Sequence, residues 1–174
     1  MSSPRIPVPR PEELREDVAQ LLPLIAPPGR EPARTMAVLA RQPDLLGPFL
    51  SWAAALALHG VLSHHDHELL ALRVASNCRS EFEWTEHVGY ARAAGLSDDE
   101  IAAVRDPRDG GDWTEVERAL LRAADELHTS TDVTDATWSV LAAHYGRDAL
   151  VEILFVVGQY TMLSMVANAA GIPA

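Results

Sequence analysis

Apolar side chains recur along this chain at spacings of three and four, with no convincing run of strict alternation, so helices are expected and sheets are not. In residues 12–25, EELREDVAQLLPLI, the set Leu14, Val18, Leu21 and Leu22 has helical spacing, with acids in the first turn. Pro27, Pro28 and Gly29 are expected to end that helix. PARTMAVLARQP predicts a short helix closed by Pro43, and GPFLSWAAALALHG an apolar one ending near Gly60. HHDHE, residues 64–68, reads as the polar start of a helix through HELLALRVASN.

Later helix starts are marked more sharply. Ser97-Asp-Asp-Glu100 and Thr114-Glu-Val-Glu117 both have the Ser/Thr-x-x-Glu form of a capping box, in which hydroxyl and carboxylate satisfy exposed N–H groups reciprocally. TDATWSVLAAHYG predicts a helix ended by Gly146, and a long apolar helix runs from about Asp148 to Ala170. The expected class is all-α. Most of these helices are too apolar to stand alone and must bury their faces on one another or on a second subunit. The Pro-rich MSSPRIPVPRPEE reads as an extended arm without the apolar core of a secretory signal. The expected organisation is an arm and first helix over residues 1–30, then a single helical domain over 31–174.

Length and charge narrow the functional classes. A chain of 174 residues, nearly half of them apolar, supports one sizeable core. The net charge is −11 and the basic residues are scattered singly, so no stripe exists to neutralise a row of phosphates, and nucleic acid is not an expected partner. One cysteine excludes an internal disulfide and a Cys-x-x-Cys pair, and fits a reducing, cytoplasmic setting. The C-terminal ALVEILFVVGQYTMLSMVANAA is interrupted by Glu152, Gln159 and Asn168, so a buried helix or an oligomer interface is expected there and no membrane span.

Chemistry concentrates in residues 77–87, NCRSEFEWTEH. One reading is structural: Ser80-Glu-Phe-Glu83 is itself a capping-box pattern, the helix dipole favours Glu81 and Glu83, and Phe82 and Trp84 are core residues. The other is functional. With Ser80 as N-cap, Glu83 and His87 are spaced i, i+4 and project from one helix face. A short bend after the preceding helix would bring Glu68 to the same place. Two acids and an imidazole can then shuttle protons, because unlike environments separate the pKa values of neighbouring groups. The helix N-terminus alone would keep Glu81 and Glu83 ionised unless burial outweighs the dipole.

Other groups have competing readings. His64, His65, His67 and Glu68, with Glu83 and His87, have the composition of a metal site, yet adjacent residues at a helix start point in different directions, and no metal is expected. Cys78 lies just before a helix start that would lower its pKa, the basis of an alternative redox role; a small core residue is the other reading. Gln159 and Tyr160 offer polar tips to a pocket or to a helix interface. Trp52, Trp113 and Trp138 read as core or interface residues, and His128 and His144 as partners of helix C-termini.

Glu68-x-x-x-Leu72-Arg73-Val74, followed by Ser80-Glu-Phe-Glu-Trp-x-x-His87 and Ala93-Ala-Gly-Leu-Ser97, resembles the carboxymuconolactone decarboxylase family, which also contains the alkyl hydroperoxidase D proteins. The likeness extends over roughly residues 35–172. It implies a helical bundle with oligomer-forming helices, assembled as trimers or hexamers. In the hydroperoxidase branch a glutamate and a histidine relay protons to a Cys-x-x-Cys pair. Glu68 and His87 match that glutamate and histidine, but Ser80 and Glu83 stand where the cysteines belong. The decarboxylase branch carries Glu-x-Glu-x-x-x-His, which Glu81, Glu83 and His87 reproduce. The resemblance therefore implies an enzyme of the thiol-independent kind, acting without cofactor on a small carboxylated or lactone-like acid of aromatic degradation. Glu68, Glu83 and His87 are the expected catalytic set, with Glu81, Trp84 and Tyr160 binding substrate. The alternatives are a redox protein using Cys78 and a non-catalytic binding or scaffold protein.

Overall fold

The computed structural model describes residues 4–24, 32–106 and 111–174, and among these it is all-α, without a strand. Two compact units divide the chain: Met1–His59 with Val166–Pro173, and Gly60–Met165 with the terminal Ala174.

In the first unit the backbone at Leu14 and Arg15 is extended, so the single helix expected over 12–25 becomes a 3-10 turn at Pro11–Glu13, helix α1 at Glu16–Leu21 and a second 3-10 turn at Leu22–Leu24. Pro23 lies in that last turn, where an α-helix would need an N–H that proline lacks. The expected breaker Pro27–Gly29 lies outside the described residues. Helix α2 spans Arg34–Leu39 and α3 Pro43–Leu58. Pro43 thus opens a helix instead of only closing one: at N1 its missing N–H is one the helix leaves unpaired anyway. Val18, Leu22, Ala40 and Leu46 form the core of this unit. The arm is tied down by Ile6 N–H donating to Ala170 O at 3.0 Å and by Arg41 donating to Pro7 O at 2.9 Å. Along α3 only Leu46 is buried, whereas Leu45, Trp52 and Leu58 are 57%, 40% and 73% exposed.

The second unit is organised around helix α4, His64–Asn77. His67, Leu69, Leu70, Ala71, Leu72, Val74 and Ala75 are all buried, so almost every face of its middle turns is covered. Helices α5 (Glu81–Ala93), α6 (Asp98–Arg105) and α7 (Glu115–Ser130) pack on it. Helix α8 (Asp135–His144) packs on α7, and α9 (Arg147–Ala170) brings Ile153, Val156, Val157 and Tyr160 inside. By length and composition α9 is apolar enough to cross a membrane, with mean hydropathy 1.7 over an 18-residue window. Two of its polar positions are engaged by protein: Glu152 accepts from Val61 N–H at 2.5 Å, and the Tyr160 hydroxyl meets His67.

Polar clasps fix the helices of this unit against one another. The Arg73 guanidinium donates twice to Asp125, at 2.6 and 2.7 Å, and once to Val104 O at 2.8 Å, joining α4 to α7 and α6. Such a fork is the arrangement arginine makes well, and it commits Arg73 to structure. Glu126 accepts from Thr134 N–H, the Thr134 hydroxyl and the Thr137 hydroxyl, which ties α7 to the start of α8. The capping boxes expected at Ser97 and Thr114 are both present.

The turn from α4 to α5 decides what the two helices share. Ser80 N–H reaches Ala75 O at 2.9 Å and Arg79 N–H reaches Ser76 O at 3.0 Å, the paired bonds of a Schellman motif. Arg79 occupies the left-handed position at φ 52°, where glycine usually stands. A β-branched residue is strained further there, although Thr131 shows at φ 60° that the chain accepts one at the end of α7. Arg79→Ile is therefore expected to lower stability by about 1–2 kcal/mol. A chemical-denaturation midpoint measures this, and an unchanged midpoint would mean the turn is not strained.

Candidate active site

Ser80 caps α5, its hydroxyl accepting from Glu83 N–H at 3.4 Å. The reciprocal half of the capping box is missing. Instead of returning to the Ser80 backbone, the Glu83 side chain turns inward, is only 3% exposed, and leaves Oε1 without a hydrogen-bond partner among the described residues. Its other oxygen faces His87 Nε2 at 3.9 Å, one helical turn on. His87 is held from the opposite side by Glu68 of α4, whose Oε2 lies 2.7 Å from Nδ1. Three of the residues singled out in the sequence thus meet across the α4–α5 interface.

Donor and acceptor chemistry fixes the proton positions. An ionised carboxylate only accepts, so the bond to Glu68 places a proton on His87 Nδ1. Nε2 is then the nitrogen that gives or takes a proton on the Glu83 side, and at 3.9 Å it is near Glu83 without a direct hydrogen bond to it. Burial raises the Glu83 carboxyl from about 4.5 to about 7; His87 opposes that rise and Glu86 adds to it. Desolvation is the largest of these influences, and it leaves Glu83 poised between acid and base at neutral pH.

Tyr160 joins the cluster from α9, setting its ring perpendicular to that of His87 with centroids 4.5 Å apart. His67 lies beside it, Nε2 2.8 Å from the Tyr160 hydroxyl. The sequence pattern groups His67 with Glu68, Glu83 and His87 only by metal-site composition, and its place in a polar run gives no sign of a role beside His87. Its spacing from Leu70, Ala71 and Val74 is the signal that places it on the inner face of α4. Burial pushes His67 down, towards its neutral form, and pushes the Tyr160 phenol up, with the charges of Glu68 and Glu83 adding to the latter.

The remaining expected residues go elsewhere. Glu81 is exposed and pairs with Arg105, whose guanidinium lies 4.7 Å over the Trp84 ring. Trp84 is buried beneath that cation. His65 faces Asp66 and Glu117, and among the described residues no three His, Cys, Asp or Glu side chains gather as a metal site. Cys78 is the C-cap of α4 and has His128 Nδ1 3.8 Å from its sulfur. Burial pushes its thiol up, while the Ser164 and Thr161 hydroxyls oppose this, so the activation expected from a following helix start is not found. Two open clefts, of about 470 and 650 Å³, are lined by residues other than Glu68, Glu83 and His87. Geometry and charge, not cleft size, single out the cluster.

Comparison with known proteins follows the same residues. The model of the carboxymuconolactone decarboxylase family matches residues 43–126. Among solved structures the chain is similar to a peroxidase-related protein with an alkylhydroperoxidase AhpD core from Ralstonia eutropha JMP134, at 20% identity and TM-score 0.84, covering 99% of this chain and 93% of that one. A peroxidase-related protein from Silicibacter sp. TM1040 is similar at 18% identity and TM-score 0.84, covering 99% and 94%. The debrominase Bmp8, crystallised with 2,3,4-tribromopyrrole, is similar at 19% identity and TM-score 0.77, covering 98% and 91%. No curated protein matches the sequence. At these identities the structural likeness establishes the fold alone. The family-model match over residues 43–126 and the AhpD-like fold together support a carboxymuconolactone decarboxylase/AhpD-like relationship, in a chain without the Cys-x-x-Cys pair.

Proposed function

We propose that this protein is a cofactor-independent enzyme that moves a proton on a small lactone-like or carboxylated organic acid, with decarboxylation as the favoured reaction. The observation that carries this reading is the Glu83 carboxyl: buried, with one oxygen unpartnered, pushed up to about 7, and aimed at a histidine that Glu68 already holds. A carboxyl kept near neutrality by burial suits general acid–base work. In the proposed reaction His87 delivers a proton to carbon through Nε2 as carbon dioxide leaves, Glu68 stabilises the imidazolium, and Glu83 hydrogen-bonds the substrate oxygen or restores the proton. The C–C bond to the leaving carbon dioxide breaks, and its electron pair stays on the substrate and ends in the new C–H bond made with the proton from His87. The step needs no oxidant, reductant or thiol, so oxygen side chains at 80 and 83 are sufficient. A redox role for Cys78 has less support, because its thiol is held in the unreactive protonated form.

The proposed site also has a cost in stability, which supports function over architecture. Glu83 titrates near 7 when folded and near 4.5 when unfolded, so the folded chain binds this proton more tightly. The stability linked to that proton is fully present below about pH 4.5 and is lost as pH rises through 7. A carboxyl kept only as a helix cap would show the opposite sign.

The same reading extends to assembly. From Leu45 to Leu58 helix α3 carries no charged side chain, and most of its positions are exposed. A helix lying on a lipid surface has a charged, usually basic, polar face, which α3 lacks, and a net charge of −11 disfavours anionic lipid. A homo-oligomer, trimeric or hexameric as the family resemblance implies, is the proposed state.

Three outcomes are expected. Carbon dioxide release from carboxylated γ-lactones should fall by about a hundredfold or more in both His87→Ala and Glu83→Gln, and variants retaining the full rate would overturn the proposed chemistry. Thermal melts across pH should show Glu83→Gln more stable than the wild type by roughly 1–3 kcal/mol above pH 7 and equal to it near pH 4; a variant less stable at every pH would make Glu83 a structural residue. Light scattering should give a mass that is a multiple of 18.9 kDa, and a monomer would remove the proposed assembly.

A further inference from the structure

Two buried polar rings beside the cluster have no task in the proton transfer just described. His67 and Tyr160 are both buried, and their side chains meet at 2.8 Å. Apolar side chains would fill the same volume without desolvating an imidazole and a phenol. Tyr160 bears on His87 directly, and His67 bears on it through Tyr160. The Tyr160 ring stands at 80° to the His87 ring with centroids 4.5 Å apart, and the His67 ring stands at 90° to that of Tyr160 at 5.6 Å. Tyr90, one turn beyond His87 on α5 and 45% exposed, leans on the imidazole at 56° and 5.7 Å.

His87 needs such support. A single bond from Nδ1 to Glu68 couples the two side-chain torsions of His87 but does not by itself fix both, so the ring plane and the aim of Nε2 keep one degree of freedom. A fixed side wall removes that freedom, as groups behind a working histidine generally do. Tyr90 is too exposed to be rigid, whereas Tyr160 sits in the middle of α9 and is anchored at its far end.

We propose that His67 and Tyr160 are positioning residues for His87: the Tyr160 ring, gripped at its hydroxyl by His67, holds the imidazole plane so that Nδ1 meets Glu68 while Nε2 faces Glu83. The proposal rests on the reading of His87 as the proton carrier, but the geometry it asserts is measurable without any substrate. Burial favours the neutral forms of both partners, so their bond does not depend on a charge that is lost near neutral pH. His67 and Glu68 are neighbours on α4, so one helix supplies both the grip on the wall and the carboxylate on the other side of the imidazole.

The test is nitrogen-15 NMR of the histidine rings in the full chain at neutral pH, comparing wild type, Tyr160→Phe and His67→Gln, with Glu68→Gln as the reference for a broken bond. The wild type is expected to show one His87 tautomer, protonated at Nδ1, with that proton protected from solvent. Tyr160→Phe retains the ring and loses the grip, and His67→Gln loosens the same bond from the other side. In each, the Nδ1 proton should exchange roughly tenfold faster, and a second tautomer should appear, while the backbone amides of α4 keep their wild-type exchange. If both variants merely melt earlier and His87 keeps its tautomer and exchange rate, the pair is packing and the proposal falls. Should Tyr160→Phe fail to fold, His67→Gln alone decides between these outcomes. Because no turnover is measured, a negative result here leaves the proton-transfer reading standing, and an inactive wild type leaves this one standing.

Discussion

The bond between Glu68 and His87 is the constraint on which the site depends, and the surrounding unit can be understood as the means of making it short. Residues nineteen positions apart meet at 2.7 Å only if α5 returns along α4 with its inner face in register. The left-handed turn at Arg79 sets that return, Ser80 fixes where α5 begins, and the clasp from Arg73 to Asp125 and Val104 keeps α4 from shifting against α6 and α7. Each device satisfies backbone or charged groups that would otherwise be left unpaired.

Glu83 shows two electrostatic influences in competition. Its position at the start of α5 favours the carboxylate, and its enclosure favours the acid. Enclosure is the largest influence on this carboxyl and raises it, with His87 opposing. The neighbouring Glu81, two residues earlier and on the outer face, keeps its water and an arginine partner. One turn of helix thus holds two carboxylates of the same chemical type in opposite environments.

Much of this architecture was legible in the sequence. The boxes at Ser97 and Thr114 form as their spacing predicts, and the long apolar run becomes α9. Local rules err where a residue has two uses: Pro43 can stop one helix and here starts the next, and the periodicity of Leu14, Val18 and Leu22 does not register that the backbone at Leu14 and Arg15 is extended. At the site, the i, i+4 spacing gave Glu83 and His87 a common face, but spacing cannot say whether that face is wet. Ser80-Glu-Phe-Glu83 has the letters of a capping box, and only burial shows that Glu83 does not use its carboxyl to complete one. His67 was hidden for a related reason: a histidine among histidines and acids looks solvated until its helical register with Leu70 and Val74 is weighed.

Helix α4 is covered on nearly all sides through its middle turns, and that has a consequence for when the cluster can come apart. Segments with many buried contacts open only with the whole cooperative unit, whereas frayed ends and loops open at little cost. Glu68 and His67 both ride on α4, so local fluctuations elsewhere in the chain leave their positions intact. The arrangement around His87 should therefore persist up to the melting of its unit, and heat should abolish it in one step with the fold.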